Sequence, residues 1–488
     1  MIVEALMIFF MLVLYGTMVW YRRPPNSAPG PLGLPIFGNA FFLGKEPQKT
    51  FRDWGKKYGK VLNVRLGSSD CIVINDYATL HQANVKRLAA FSGVTICPIF
   101  TEFTSGNYGI ALANYSPSWQ THRRHVVTTL RRFEVGKRSM ETKIFNEASR
   151  LTDFLRSTNG QAVNIGELLH KMTTNILCHA IFGKRYEYEH PVLCSIVQTI
   201  NGIVDAEFGE AMQTAMLFPW LRYVPPVSKG CDEVLKSRQS MIETIDEVVF
   251  EHENSYDEDD MRDFIDCYLK EMKAGKDLFT RKQLLYEVSD LFLAGTDTTS
   301  NTLTWCLHAL LHYPETQSKL RKEIFDVLGP TGKVNISHEP KMPYVLAFIN
   351  EVLRFHPLLG LSYRSTTEDT ELGGYSIPKD TPVILNLWAI LMNPDDWHEP
   401  DKFNPDRFID EKGNFFKPNY AVPFNIGGRQ CPGERLARME LFLYLVTMAQ
   451  RFEILPDPEL ADLPTTDMHI GGGVFFAPPP FKVVFKET

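Results

Sequence analysis

Residues 424–433 read Phe-Asn-Ile-Gly-Gly-Arg-Gln-Cys-Pro-Gly, the pattern F-x-x-G-x-R-x-C-x-G with every fixed position filled. No other stretch constrains the chain as strongly. Cys431 lies between glycine-flanked turns, with Arg429 two residues before it. Core cysteines sit instead among apolar residues on helices and strands. Glycines carry no side chain, so they let backbone pass close to a flat object. Backbone N–H groups turned toward the sulfur stabilise a thiolate. The Arg429 guanidinium is a fork that matches a carboxylate. A thiolate, a flat neighbour and a carboxylate partner together imply a haem held by an axial sulfur, so the fold must enclose a large planar group.

The stretch resembles the haem-ligand loop of the cytochrome P-450 superfamily, the haem-thiolate monooxygenases. More of that family's motifs follow in the same chain order. Ala294-Gly295-Thr296-Asp297-Thr298-Thr299 resembles the oxygen-activating motif A-G-x-(D/E)-T-(T/S). Glu351-Val352-Leu353-Arg354 resembles its buried E-x-x-R pair, with Arg407 of Phe403-Asn404-Pro405-Asp406-Arg407-Phe408 as the third member. Trp119-Gln120-Thr121-His122-Arg123 resembles the W-x-x-x-R motif.

The resemblance implies a role for each match. Cys431 ligates the iron of haem b, and Trp119, Arg123, Arg364 and Arg429 hold the propionates. Ala294, Phe424, Gly427 and Gly433 bound the ring. Asp297 and Thr298 deliver protons to the oxygen being cleaved. It also implies NADPH used indirectly, through NADPH–cytochrome P-450 reductase, with cytochrome b5 as a further donor. The fold implied is mostly α with small β-sheets, preceded by one N-terminal transmembrane helix.

The residues themselves support parts of this. Glycine and three threonines in mid-helix lower helix propensity. A threonine there can bond the carbonyl one turn back and locally open the helix. An acid beside an alcohol can then relay protons. Positions i and i+3 share a helix face, so Glu351 and Arg354 can pair. Positions i and i+4 do so as well, so Trp119 and Arg123 can reach one carboxylate.

Residues 5–21 carry no charge. As a helix at about 1.5 Å per residue they span roughly 25 Å, slightly short of a ~30 Å hydrocarbon core. Arg22 and Arg23 follow, which keeps that end cytosolic. A cleaved signal peptide needs a basic start, and this chain has Glu4. The expected organisation is a signal-anchor at 1–23, a proline-rich hinge at 24–35 and a catalytic domain at 36–488. The stretch at 24–35 resembles the hinge of microsomal members of the family, and that resemblance implies localisation in the endoplasmic reticulum membrane, single-pass, with the domain facing the cytosol.

The net charge of −7 argues against nucleic acid as a partner. The eight cysteines form no C-x-x-C pair and no cluster with histidine, which argues against zinc and suits a reducing compartment. Arg123, Arg124, Arg131, Arg132, Lys137 and Arg138 form a basic cluster that reads either as ordinary surface charge or as a surface that steers an acidic electron donor. Helical patterns are expected at 117–133, 141–157, 165–182, 191–213, 232–253, 281–312, 314–328 and 343–355. Strands are expected within 61–74 and near 361–387, and a charged loop at 252–260. The apolar, proline-broken segment 216–226 reads either as a buried connection or as a bilayer contact.

Segments near 95–115, 200–212, 289–298, 358–363 and 468–476 are expected to form an apolar substrate pocket, with Phe100, Phe103, Phe292, Leu358, Leu359 and Leu361. The expected activity inserts one oxygen atom into a lipid-, steroid- or xenobiotic-like molecule. An isomerase or dehydratase acting on a peroxide, and a haem-binding sensor without turnover, are the alternatives. Both fit the complete acid–alcohol motif less well.

Overall fold

The computed structural model describes residues 11, 21, 24–67, 69–94, 97–134, 140–207, 210–460, 462–463, 465, 469–471 and 475–488. The expected anchor at 1–23 lies outside these, apart from Met11 and Tyr21. No helix among the described residues is long and apolar enough to cross a membrane.

Helices dominate. After α1 (Pro47–Tyr58) come β1 (Val61–Leu66) and β2 (Ser69–Ile74), and then the long helices begin. These are α2 (Pro117–Glu134), α3 (Met140–Ser157), α4 (Gly166–Ile181), α5 (Pro191–Glu207), α6 (Glu210–Leu217), α7 (Val227–Asn254), α8 (Phe264–Lys273), α9 (Arg281–His312), α10 (Pro314–Leu328) and α11 (Pro343–Phe355). Strands β3 (Leu361–Ser365), β4 (Thr370–Leu372), β5 (Tyr375–Ile377) and β6 (Pro382–Asn386) precede α12 (Glu434–Arg451). Strands β7 (Phe452–Pro456), β8 (His469–Gly471), β9 (Phe475–Ala477) and β10 (Val483–Glu487) end the chain.

Local chemistry sets several boundaries. Pro314 and Pro343 occupy the first position of α10 and α11, where a missing N–H costs nothing. The Thr280 side chain caps α9 by accepting from the Gln283 N–H. The segment expected to be one helix over 191–213 is instead α5 and α6. Helix α7 continues through Asn254, so the charged loop begins at Ser255 rather than His252.

Helix α9 is the spine. It packs against α4, α7, α11 and α12, and most of its side chains are buried. Around it lies the main apolar core, which includes Leu177, Phe292, Leu303, Trp305, Phe348 and Phe442. A four-stranded sheet of order β1-β2-β6-β3 forms the second layer. Within it β2 and β6 run parallel, with Ile72 opposite Val383, and the other pairs are antiparallel.

The proline-rich stretch is tied to this sheet. The Asn63 N–H donates to Pro29 O at 2.8 Å, and Asn39 exchanges bonds with the Arg65 backbone. Ala28 is buried in the smaller core beneath. From Asn26 onward the expected hinge is thus docked rather than free.

Candidate haem site

The loop ahead of α12 is held in a specific shape. Asn425 and Gly427 both have positive φ, +62° and +83°. A Cβ on Gly427 would meet the Asn84 carbonyl oxygen at 1.9 Å. This glycine is therefore demanded by a neighbouring backbone and by its own torsion. Asn84 also donates to the Asn425 side chain at 2.9 Å in a buried contact. The Cys431 N–H donates to Phe424 O at 3.0 Å, which closes the loop.

Cys431 then lies just before the N-terminus of α12, whose N-cap is Gly433. Of the eight cysteines it is the exposed one; Cys194 is half-buried and the others are buried. The residue meets solvent, yet dense protein surrounds its thiol. Desolvation pushes the thiol's pKa up, while N–H groups of Gly433 and Glu434 and the charge of Arg123 oppose that rise. Helix N-termini favour thiolates for the same reason. A Cβ on Gly433 would have the Cys431 sulfur as its nearest neighbour, at 4.0 Å.

Three guanidiniums converge beside this loop. Arg429 stacks on the Trp119 ring at 3.9 Å. It donates to the carbonyls of Ser92 (2.8 Å), Ala113 (2.7 Å) and Ile110 (3.4 Å). Its buried Nε has no partner. Burial, then Arg364 and Arg123, lower its pKa to about 8. Burial and Arg123 lower that of Arg364 to about 10. Arg123 donates to the Gln430 carbonyl. Mutually repelling half-buried cations with an orphaned donor on Arg429 fit a group carrying two carboxylates. The residues present therefore suit a haem. The Trp119 N–H is engaged by Ile110 O at 3.0 Å, so in this structure it braces a loop.

Sequence reasoning missed that brace. The Ile110 and Ala111 N–H groups donate to Asp290 Oδ2 at 2.8 and 3.0 Å, and Arg238 pairs with Asp290 Oδ1 at 2.6 Å. Acid, amide and arginine come from separate parts of the chain, so no local motif announces them.

Helix α9 supplies the second wall. It stays α-helical through 294–299, so the expected local opening is not there. The threonine hydroxyls bond carbonyls one turn back without interrupting the helix: Thr298 to Ala294 at 2.7 Å and Thr302 to Thr298 at 2.7 Å. On this otherwise buried helix Ala294 is exposed and Gly295 and Thr298 are half-buried. That face opens onto accessible space. Asp297 points elsewhere. It is buried, and its Oδ1 lies 3.7 Å from His170 Nε2 on α4.

The E-x-x-R motif is a buried network. Arg354 Nε and Nη2 reach Glu351 at 2.6 and 2.8 Å, and Arg407 Nε reaches it at 3.1 Å. Of the expected pocket residues, Leu358 and Leu359 join strand β9 through the Leu359–Phe475 bridge. Phe292 does not line accessible space; it is fully buried with its ring 4.8 Å from Phe182. Leu361 and Phe103 are buried as well.

The sequence profile described as Cytochrome P450 matches residues 28–485. The chain belongs to the cytochrome P450 family. Among similar proteins, Cytochrome P450 2H2 of Gallus gallus is 35% identical over 90% of this chain and 89% of its own length. Cytochrome P450 2J2 of Homo sapiens is 34% identical over 89% of this chain and 87% of its own. Cytochrome P450 2C3 of Oryctolagus cuniculus is 34% identical over 94% and 93%. As a family member the chain is a haem-thiolate monooxygenase, with haem as its cofactor and a cysteine thiolate on the iron. It uses a redox partner and a small-molecule substrate.

Proposed function

We propose that Cys431 is the iron ligand of a membrane-bound P450 that hydroxylates apolar lipid-, steroid- or xenobiotic-like molecules. The observation that carries this is the Cys431 residue, exposed at the α12 N-terminus beside the converging guanidiniums of Arg123, Arg364 and Arg429. When bound, haem supplies oxygen activation, and the thiolate's electron donation favours O–O cleavage.

The protein's part is to hold and to time. Arg123, Arg364 and Arg429 bind the propionates, with Trp119 beneath Arg429. Phe424, Gly427, Gly433 and Ala294 bound the ring. Thr298 keeps its hydroxyl proton on Ala294 O, and its oxygen's lone pairs remain able to accept a donor. Asp297, turned toward His170 on α4 at rest, supplies the proton that Thr298 hands on once the Asp297 side chain swings to the Thr298 face. The accessible face at Ala294–Thr298 carries no charge, which suits an apolar substrate.

Electrons come from NADPH through NADPH–cytochrome P450 reductase, with cytochrome b5 as a second donor. Arg124, Arg131 and Arg132 are exposed and favour an acidic partner; Lys137 and Arg138 lie outside the described residues. The chain is a single-pass protein of the endoplasmic reticulum, anchored by 1–23 through the segment 24–35, with residues 36–488 as the cytosolic catalytic domain. Exposed Trp220, Tyr223 and Val224 support bilayer contact over a buried connection. Phe37, whose ring meets Phe218 at 5.8 Å, and Phe41 extend the same apolar surface. Purified protein with reductase and NADPH should oxygenate members of an apolar substrate panel. Substrate-independent NADPH use without product across that panel would overturn the reading.

A further inference from the structure

Asp297 has a route to water that bypasses the Thr298 face. His170 lines a cavity of about 580 Å³ bounded by residues of α4, α5 and α9 and by Pro478–Phe481. The same imidazole places Nε2 3.7 Å from Asp297 Oδ1. Asn301, one turn beyond Asp297, lines this cavity too and donates to the Asp297 carbonyl at 2.9 Å. The cavity's other charged side chains are engaged with one another, Lys171 pairing with Glu167 at 3.1 Å and Glu189 at 3.2 Å. His170 thus touches both the cavity and the buried carboxyl.

We propose that His170 is the proton-entry residue of this enzyme, passing protons from cavity water to Asp297. The proposal rests on the reading of Asp297 and Thr298 as the proton-delivery pair. An acid in the cavity, hydronium or buffer, loses a proton to one ring nitrogen. The other ring nitrogen gives its proton to Asp297 Oδ1, which becomes a neutral carboxylic acid. No electrons move, and a second transfer or a ring flip restores the tautomer. Burial, offset in part by Glu167, lowers the His170 pKa to about 4, so the ring is neutral near pH 7 and can relay in this way. The 3.7 Å gap exceeds a hydrogen bond. Transfer therefore waits for the ring to close on the carboxylate, which gates the supply.

The test uses full-length protein with reductase and NADPH, comparing wild type, His170→Gln, His170→Phe and Thr298→Ala. Glutamine keeps a polar contact but cannot accept and release a proton in turn. Both His170 variants should raise peroxide relative to product by on the order of tenfold and enlarge the solvent deuterium isotope effect on product formation. A second readout is the pH titration of the His170 ring by NMR in the resting protein. It should move to lower pH in Asp297→Asn, because a neighbouring carboxylate is removed. If Thr298→Ala uncouples while both His170 variants stay coupled, the entry role is wrong and the delivery pair stands. If Thr298→Ala also stays coupled, the delivery pair falls with it. A His170 titration indifferent to Asp297→Asn would likewise overturn the relay.

Discussion

Glu351→Gln should be among the most destabilising conservative substitutions in this chain. Glu351 is fully buried. It accepts from Arg354 Nε at 2.6 Å, Arg354 Nη2 at 2.8 Å, Arg407 Nε at 3.1 Å and the Asn404 N–H at 2.8 Å. Glutamine preserves the shape, removes the charge and turns an amide donor toward a guanidinium. Removing one partner of a buried ion pair costs ~3–5 kcal/mol. The arginines retain some bonds, Arg354 to Pro400 O at 3.0 Å and Arg407 to His398 O at 2.8 Å. That places the expected loss near ~3 kcal/mol, about a hundredfold in the folded-to-unfolded ratio. Urea unfolding followed by tryptophan fluorescence measures it directly. A loss below ~1 kcal/mol would show that the network is held by those carbonyls and not by its central carboxylate.

Other outcomes follow from single contacts. Thr298→Ala should retain haem and substrate yet divert NADPH electrons to peroxide; Thr299→Ala should do less, since one step along a helix turns the side chain about 100°. The ratio of peroxide to product per NADPH separates the two. Gly427→Ala should fail to hold haem, because a methyl would strike the Asn84 carbonyl at a residue with φ +83°; haem absorbance per purified protein reports it. His252 pairs with Asp263 at 2.9 Å. Burial pulls its pKa down, but the hydrogen bond and charge of Asp263 leave it raised overall. The pair's stabilisation is therefore full below about pH 6.5 and fades as pH rises through the folded-state value. Asp263→Asn should flatten that part of the stability–pH profile.

Much of this fold is legible locally. Prolines 314 and 343, and Thr280 ahead of α9, set helix starts that sequence reading placed correctly. Helix α12 was not legible, because it is buried on nearly every face and shows no apolar stripe. The site divides in the same way. The motif residues around Cys431 and the ion network at Glu351 announce themselves by spacing. The roles of Ile110 O, Asp290 and His170 do not, since each depends on which distant segment packs alongside. Phe292 shows the limit of an apolar pattern: periodicity marks it as inward-facing but does not tell a core face from a pocket wall.

The central claim is that the iron ligand is Cys431. Its most direct test is the carbon monoxide difference spectrum of the reduced full-length protein and of Cys431→Ser. Wild type should give the long-wavelength Soret band of thiolate ligation, and Cys431→Ser should lose it. A variant that keeps that band would place the thiolate on another of the eight cysteines and contradict the account.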